Sequence, residues 1–405
     1  MTQEPFLNPF RPGAGQPPPY LAGRDPEKQA FINLLQQEVI MKNMILTGLR
    51  GTGKTVLVDS FKPVALVNQW LWAGTDLSES ASVSENTIAT RILTDLSIIT
   101  SQLKGQKDKM GFGGETDEVS LDYAALLEYY NGQPGLVSDK LRSTLEFVWN
   151  NVKKASPQVK GIVIAYDEAQ KMSDQGKEGQ YPLSVLLEVF QSLQKRGYPL
   201  LLVLVGLPTL QQRLVDARTY AERMFEVTEL HGLSDTESRE AVLKPIQREN
   251  CPVTFGDTSV GIIVKESGGY PYFIQFLCRE AFNSFLSQMT QGRNDPSVPL
   301  EEIIAKLDID FFAARWNNAT DRERELLSVM STLDNCQDEF TVKEVVEQWG
   351  RLLQSPISSS HASQIFAKLV IDGLIYRTRY GKYRLGIPLL DRFIKRQRIL
   401  SAISE

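Results

Sequence analysis

Gly48–Thr55 reads GLRGTGKT, and this stretch restricts what the chain can be more than any other. It satisfies GxxxxGK[ST] in the setting where that pattern has physical meaning, after the apolar run Met44–Leu46 and before TVLVDSF at helical spacing. Gly48, Gly51 and Gly53 admit backbone angles that a side chain blocks, so successive N–H groups can turn inward around a phosphate. Lys54 adds a positive point charge, and Thr55 is expected to place its hydroxyl on Mg2+. The helix that follows presents its positive end to the same anion. An ordinary glycine turn requires none of this context. The stretch is therefore read as a phosphate-binding P-loop, with Gly48, Arg50, Gly51, Thr52, Gly53, Lys54, Thr55 and Val56 expected to hold ATP.

At 405 residues the chain exceeds one ordinary hydrophobic core, which predicts two or three domains. With 42% hydrophobic and 23% charged residues it reads as globular, and no segment approaches a membrane-spanning length. Its first twenty residues have neither the basic nor the apolar region of a signal peptide. Cys251, Cys278 and Cys336 lack metal-ligand or secreted-framework spacing, which predicts a reducing cytoplasm. The only histidines, His231 and His361, leave little scope for a histidine triad or zinc site. A net charge of −5 argues against general coating of nucleic acid, though it permits a local basic patch.

Along the chain, residues 1–22 are rich in proline and glycine and suit an extended arm rather than a packed element. A helix is expected from Asp25 as N-cap with Pro26 at its first position. Strands MILTGL, NQWLWAGTD, GIVIAYD and LLLVLVG alternate with helices, which predicts an α/β fold with a doubly wound parallel sheet over residues 23–232. The stretch 105–118 loses periodicity and reads as a mobile surface loop, in which Met110 and Phe112 are the residues suited to a partner. After Phe225 the strand signal ends. Residues 233–310 read as a small helical domain, and 311–405 as helix, helix, helix, hairpin, the order of a winged helix-turn-helix.

Asp167 and Glu168 close the strand IVIAYDE. A carboxylate at the first position can hold Mg2+ beside the P-loop, as in a Walker B motif, while its neighbour orients and polarises the attacking water. Solvated acids at a strand end are common singly. A pair after five buried apolar residues, in a chain that already carries a P-loop, is less so. Gln170 is assigned a supporting role.

In this order, GLRGTGKT, IVIAYDEAQ, VGLPTL, AERMF and GGYPYFIQ resemble the AAA+ ATPases, particularly the initiator clade of origin-recognition ATPases and related prokaryotic ATPases with a C-terminal winged helix. The resemblance covers about residues 20–395. It implies that Arg24 and Asp25 lie near the adenine, and that Arg223 is an arginine finger reaching a neighbouring copy's γ-phosphate, with Arg218 as runner-up. Two positions depart from the pattern: the polar first sensor falls at Gly206, with Thr209 nearby, and the arginine of the second falls at Tyr272. Both changes imply slow turnover. The GGYP turn also looks like that of the switching NTPases called STAND.

In the C-terminal module, Ser358–Asp372 is the expected recognition helix, with Ser360, His361, Gln364 and Lys368 outward. A two-residue turn at Tyr380–Gly381 would pair Arg379 with Lys382 and Arg377 with Arg384, all four on one face. Such a face suits the phosphates of double-stranded DNA, although basic residues on a hairpin also serve to discourage edge pairing. Arg392, Lys395, Arg396 and Arg398 extend the positive region. The combined reading is an ATP-hydrolysing switch acting on DNA as a homo-oligomer. Its rival is a STAND-like NTPase whose winged helix docks a protein.

Overall fold

Residues 7–404 are described by this computed structural model, apart from 79, 81–83, 102–103, 109–115, 175–178, 248–250, 294–295 and 354–355, with backbone alone at 104–108, 116–120 and 398–404. The chain divides into two compact units, a sheet unit (Arg24–Gly48 and Lys54–Leu230) and a helical unit (Met1–Gly23, Leu49–Gly53 and His231–Glu405). Among the described residues no helix is long and apolar enough to cross a membrane.

The sheet unit contains β1 (Asn43–Gly48), β2 (Trp70–Asp76), β3 (Lys104–Asp108), β4 (Thr116–Ser120), β5 (Gly161–Asp167), β6 (Leu200–Gly206) and β7 (Phe225–Leu230). Five of these form one parallel sheet in the order β2-β5-β6-β1-β7. Every residue of β1, β5 and β6 is buried, as continuous apolar runs in a sheet covered on both faces require. One face packs on helices Glu85–Thr100, Val137–Ala155 and Pro182–Lys195. Helices Asp25–Leu35 and Lys54–Val67 lie against the other, where Phe31 stacks on Phe61 with centroids 4.4 Å apart. At the start of β1 a buried amide pair ties four elements together: Gln194 Nε2 donates to Asn43 Oδ1 (2.8 Å), which also accepts from the Leu202 N–H, while Asn43 Nδ2 donates to Gln194 and to the Met224 carbonyl.

Several local expectations change. The helix at Asp25 begins one residue earlier, with Arg24 at the cap and Asp25 in the first turn; the first-turn N–H groups have no helical partners, so proline fits at the second position as well as the first. Strand signal continues past Phe225: β7 is the edge strand paired with β1, and its exposed middle residues conceal the pattern. The stretch 105–118 is not irregular throughout, because β3 and β4 form an antiparallel ladder in which Lys107 stands opposite Asp117. A ladder of polar residues is held by backbone bonds and leaves no hydrophobic period. Met110 and Phe112 lie outside the described residues.

The helical unit has its own core, running from helices Asp235–Leu243, Asp257–Ser267 and Pro271–Thr290 to the C-terminal module. From residue 7 the N-terminal segment has no regular secondary structure, but it is packed rather than a free arm. Phe10 is 1% exposed between Phe255 and Phe282, and Asn8 Nδ2 donates to the Arg279 carbonyl. One apolar anchor suffices to hold an irregular segment on a helix. Residues 300–318 form a continuous helical stretch interrupted at Asp308–Ala313 by a π-helix. Then come helices Asp321–Met330, Val342–Leu352 and Ser359–Ile371 and the antiparallel hairpin of β8 (Ile375–Arg379) and β9 (Lys382–Leu385). Ala362, Ile365, Phe366 and Leu369 bury one side of Ser359–Ile371, and Ser360, His361, Gln364 and Lys368 are exposed.

Candidate nucleotide site

All five strands of the main sheet run parallel, so their carboxyl ends share one edge, where Gly48, Asp76, Asp167 and Gly206 lie. Gly51 and Gly53 have φ of +82° and +86°, the left-handed region that a side chain would strain, and so the loop curls on itself. The Thr52 hydroxyl donates to the Leu49 carbonyl at 2.9 Å. Lys54 is buried, and its Nζ donates to the Gly48 carbonyl at 2.9 Å. Val56 is half-buried in the helix behind the loop.

Thr55 Oγ1 donates to Asp167 Oδ2 at 2.5 Å, which brings the last residue of the loop motif and the first acid of the strand end together. Two further acids, which the sequence reading missed, stand near them: Asp59, one helical turn after Thr55, and Asp76, paired in register with Asp167. Burial raises the pKa of both, and repulsion adds to it, from Asp76 and Asp167 on Asp59, and from Asp167 and Glu168 on Asp76. The only signal in the sequence was an acid at each of those element positions, too common to single out.

Glu168 has φ of +55°, a left-handed conformation rare for a side-chain-bearing residue and often found where function over-determines the backbone. Its N–H donates to Asp167 Oδ1 at 2.7 Å, and Gln170 Nε2 donates to its Oε2 at 2.6 Å. Gln170 is fixed in turn: its Oε1 accepts from the Leu207 N–H at 3.1 Å, and its carbonyl accepts from the Arg213 guanidinium. A Cβ on Gly206 would lie 2.4 Å from that Oε1. The glycine at the first sensor position thus makes room for Gln170.

Among known proteins, the family described as Domain of unknown function (DUF8462) matches residues 309–394. No curated protein matches the sequence. The Walker-type ATPase PABY2304 of Pyrococcus abyssi superposes with a TM-score of 0.57 at 14% identity, over 93% of this chain and 96% of that one. The ORC2 protein of Aeropyrum pernix, solved with ADPNP and ADP, gives 0.53 at 14% identity, over 97% and 98%. The fold is that of the Orc-type AAA+ ATPases.

On this AAA+ fold the other expected site residues lie on separate elements. Arg24 is buried and ion-paired to Glu27 at 3.3 Å, and Asp25 is exposed. Arg223 is exposed on the short helix Ala221–Met224 and has no acidic partner among the described residues, whereas Arg218 is paired with Glu188 at 3.2 Å. In the helical unit, Tyr272 donates its N–H to the Gly51 carbonyl at 3.2 Å.

The β8–β9 hairpin departs from the register expected of a wing. Arg379 does stand opposite Lys382, but a bulge between Arg377 and Arg379 sets Arg377 opposite Tyr383 and Tyr376 opposite Arg384, so Arg377 and Arg384 are not a cross-strand pair. The anchor is Tyr383, whose backbone exchanges two hydrogen bonds with Phe340 and whose ring packs edge-on to Phe366 at 4.8 Å. Nor do the cations form one bare face. Arg379 pairs with Glu339 at 2.7 Å, Lys382 with Glu344 at 3.9 Å, and Arg384 Nε donates to the Gln337 carbonyl. Arg377 is exposed over the Tyr380 ring, 5.0 Å from its centroid. Farther on, Arg392, Lys395 and Arg396 pair with Glu266, Asp391 and Asp308, and the side chain of Arg398 is outside the described residues.

Proposed function

We propose that this chain is an ATP-binding and ATP-hydrolysing AAA+ switch that acts on duplex DNA through its winged helix and works as an assembly of copies. The observation that carries the reading is the 2.5 Å contact of Thr55 with Asp167, beside a glycine loop that buries Lys54. The donor set fits Mg2+: a hydroxyl and a carboxylate, both hard oxygen ligands, are adjacent, and the repulsion among Asp59, Asp76 and Asp167 is what a divalent cation would relieve. Bound there, Mg2+ neutralises charge on the phosphates. The Gly48–Gly53 backbone and Lys54 hold the phosphates, Arg24 and Asp25 lie toward the base, and Thr55 and Asp167 hold the ion. Glu168, steadied through Oε2 by Gln170, keeps Oε1 to accept a proton from the attacking water.

The link through Gln170 gives a direct test. Gly206→Ala sets a methyl group 2.4 Å from Gln170 Oε1, so Gln170 must give up its bond from the Leu207 N–H and withdraw from Glu168. Single-turnover ATP hydrolysis should fall about 10-fold to 100-fold while ATP affinity holds. Unchanged hydrolysis in the folded variant would remove Gln170 from the water-positioning arrangement.

For DNA, the binding surface is Arg377 with Tyr380, supported by His361 and Gln364 on the helix, while Arg379, Lys382 and Arg384 engage phosphates by exchanging their present partners. Each lost phosphate contact lowers the slope of log affinity against log salt by about 0.9, so Arg377→Ala should lower it by about 1 in fluorescence anisotropy on mixed-sequence duplex. The neutralised wing cations also favour a second reading, in which the winged helix docks a protein. That reading replaces the first if the wild type shows no duplex affinity at low salt with ATP, with ADP or without nucleotide.

A further inference from the structure

Arg50, at the tip of the glycine loop, uses one of its five N–H donors in a 3.2 Å bond to the carbonyl of Gly373, just beyond the recognition helix. It has no carboxylate partner among the described residues. Gly373 has φ of +68°, and a Cβ there would lie 2.7 Å from Arg50 Nη1, so the glycine admits the guanidinium. A second such arginine belongs to the same unit. Arg315 donates from Nη1 to the Phe311 carbonyl at 2.9 Å, lies over the Phe311 ring at 5.3 Å, and also has no carboxylate partner among the described residues.

A short series of contacts brings Arg315 toward the loop. Gly51 accepts from the Tyr272 N–H at 3.2 Å, the rings of Tyr272 and Phe311 are 5.0 Å apart, and Phe311 carries Arg315. Phe311 sits in the π-helix Asp308–Ala313, a wide turn of the kind that recurs at functional sites. The Arg315 pKa is lowered first by burial and then by the charge of Arg50. Two partly buried guanidiniums that repel each other, each hydrogen-bonded among the described residues to a neutral carbonyl, constitute a demand for an anion. A guanidinium fork matches phosphate oxygens two at a time.

We propose that Arg50 and Arg315 together bind the terminal phosphate of a nucleoside triphosphate at the glycine loop, Arg50 releasing the Gly373 carbonyl as it does so. The proposal rests on the ATP reading above and adds the residues that tell a triphosphate from a diphosphate. In a glycine loop of this kind, inward N–H groups surround the phosphate that both nucleotides share, and cations outside that ring meet the one that only the triphosphate carries. Release of Gly373 would then report the triphosphate to the end of the recognition helix.

The test is equilibrium titration of the full chain with fluorescent ADP and a fluorescent non-hydrolysable ATP analogue, both with Mg2+. Arg315→Ala should weaken the ATP analogue by about tenfold or more and ADP by less than about twofold. Arg315→Lys should fall between, and Arg50→Ala should shift the ratio in the same direction. A merely structural role for either arginine would weaken both nucleotides alike. Equal losses, or wild-type selectivity in variants with wild-type melting temperatures, overturn the proposal. Where Arg315→Ala fails to fold, Arg315→Lys and Arg50→Ala decide. A wild type that binds neither nucleotide overturns the ATP reading and this proposal together, whereas a wild type that binds both, with variants of unchanged selectivity, overturns the proposal alone.

Discussion

Glu168→Gln should bind ATP as the wild type does and hydrolyse it on the order of 100-fold more slowly or worse, because the amide keeps the shape of the carboxylate but cannot take the proton of the attacking water. Its environment makes the comparison clean. Gln170 Nε2 donates to Glu168 Oε2, and an amide oxygen there can still accept that bond, so the left-handed backbone at Glu168 has no reason to relax. Lys54→Ala should do the opposite and remove binding itself, since it deletes a buried cation from a loop otherwise built of backbone N–H groups. Single-turnover hydrolysis together with equilibrium binding separates the two effects. Hydrolysis at the wild-type rate in Glu168→Gln would assign the water to another residue.

If the chain works as the proposed assembly of copies, Arg223→Ala is expected to bind ATP normally and to lose most hydrolysis, by about 1,000-fold or more, under assembling conditions. Arg223 is exposed and has no acidic partner among the described residues, so its charge is available to a phosphate beyond its own chain, unlike that of Arg218. Mixing Arg223→Ala with Glu168→Gln should restore part of the activity, because one interface of a mixed assembly then has both intact parts. Absence of rescue at every ratio, or full wild-type activity in a strict monomer, would place the arginine outside the reaction.

Lys54 and Glu168 stand out in the sequence because each follows an apolar run, whereas Arg223 is singled out by the family resemblance alone. β1, β5 and β6 are buried along their whole length, so their patterns announce strands, and the polar residues that close them announce the edge where ligands bind. What escaped notice depends on contacts rather than pattern. β7 buries only its two ends, Phe225 and Leu230, and the β3–β4 ladder is mostly polar, with Val119 opposite Gly105. The wing register turned on one extra residue, which moved Arg377 opposite Tyr383, and on the backbone bonds of Tyr383 to Phe340. Gly206 looked like a missing polar group until the Gln170 amide was found in the space its side chain would fill. Arg315 is far from the loop in sequence and belongs to no motif; only the π-turn and the Tyr272 contact bring it near.

The central claim, that Gly48–Thr55 with Asp167 forms a Mg2+-dependent ATP site, is tested most directly by calorimetric titration of the wild type and Lys54→Ala with a non-hydrolysable ATP analogue, with and without Mg2+. The account predicts one nucleotide bound per chain, tighter with Mg2+, and no measurable binding to the variant. Wild-type protein that binds no nucleotide, or a variant that binds it as tightly as wild type, would contradict it.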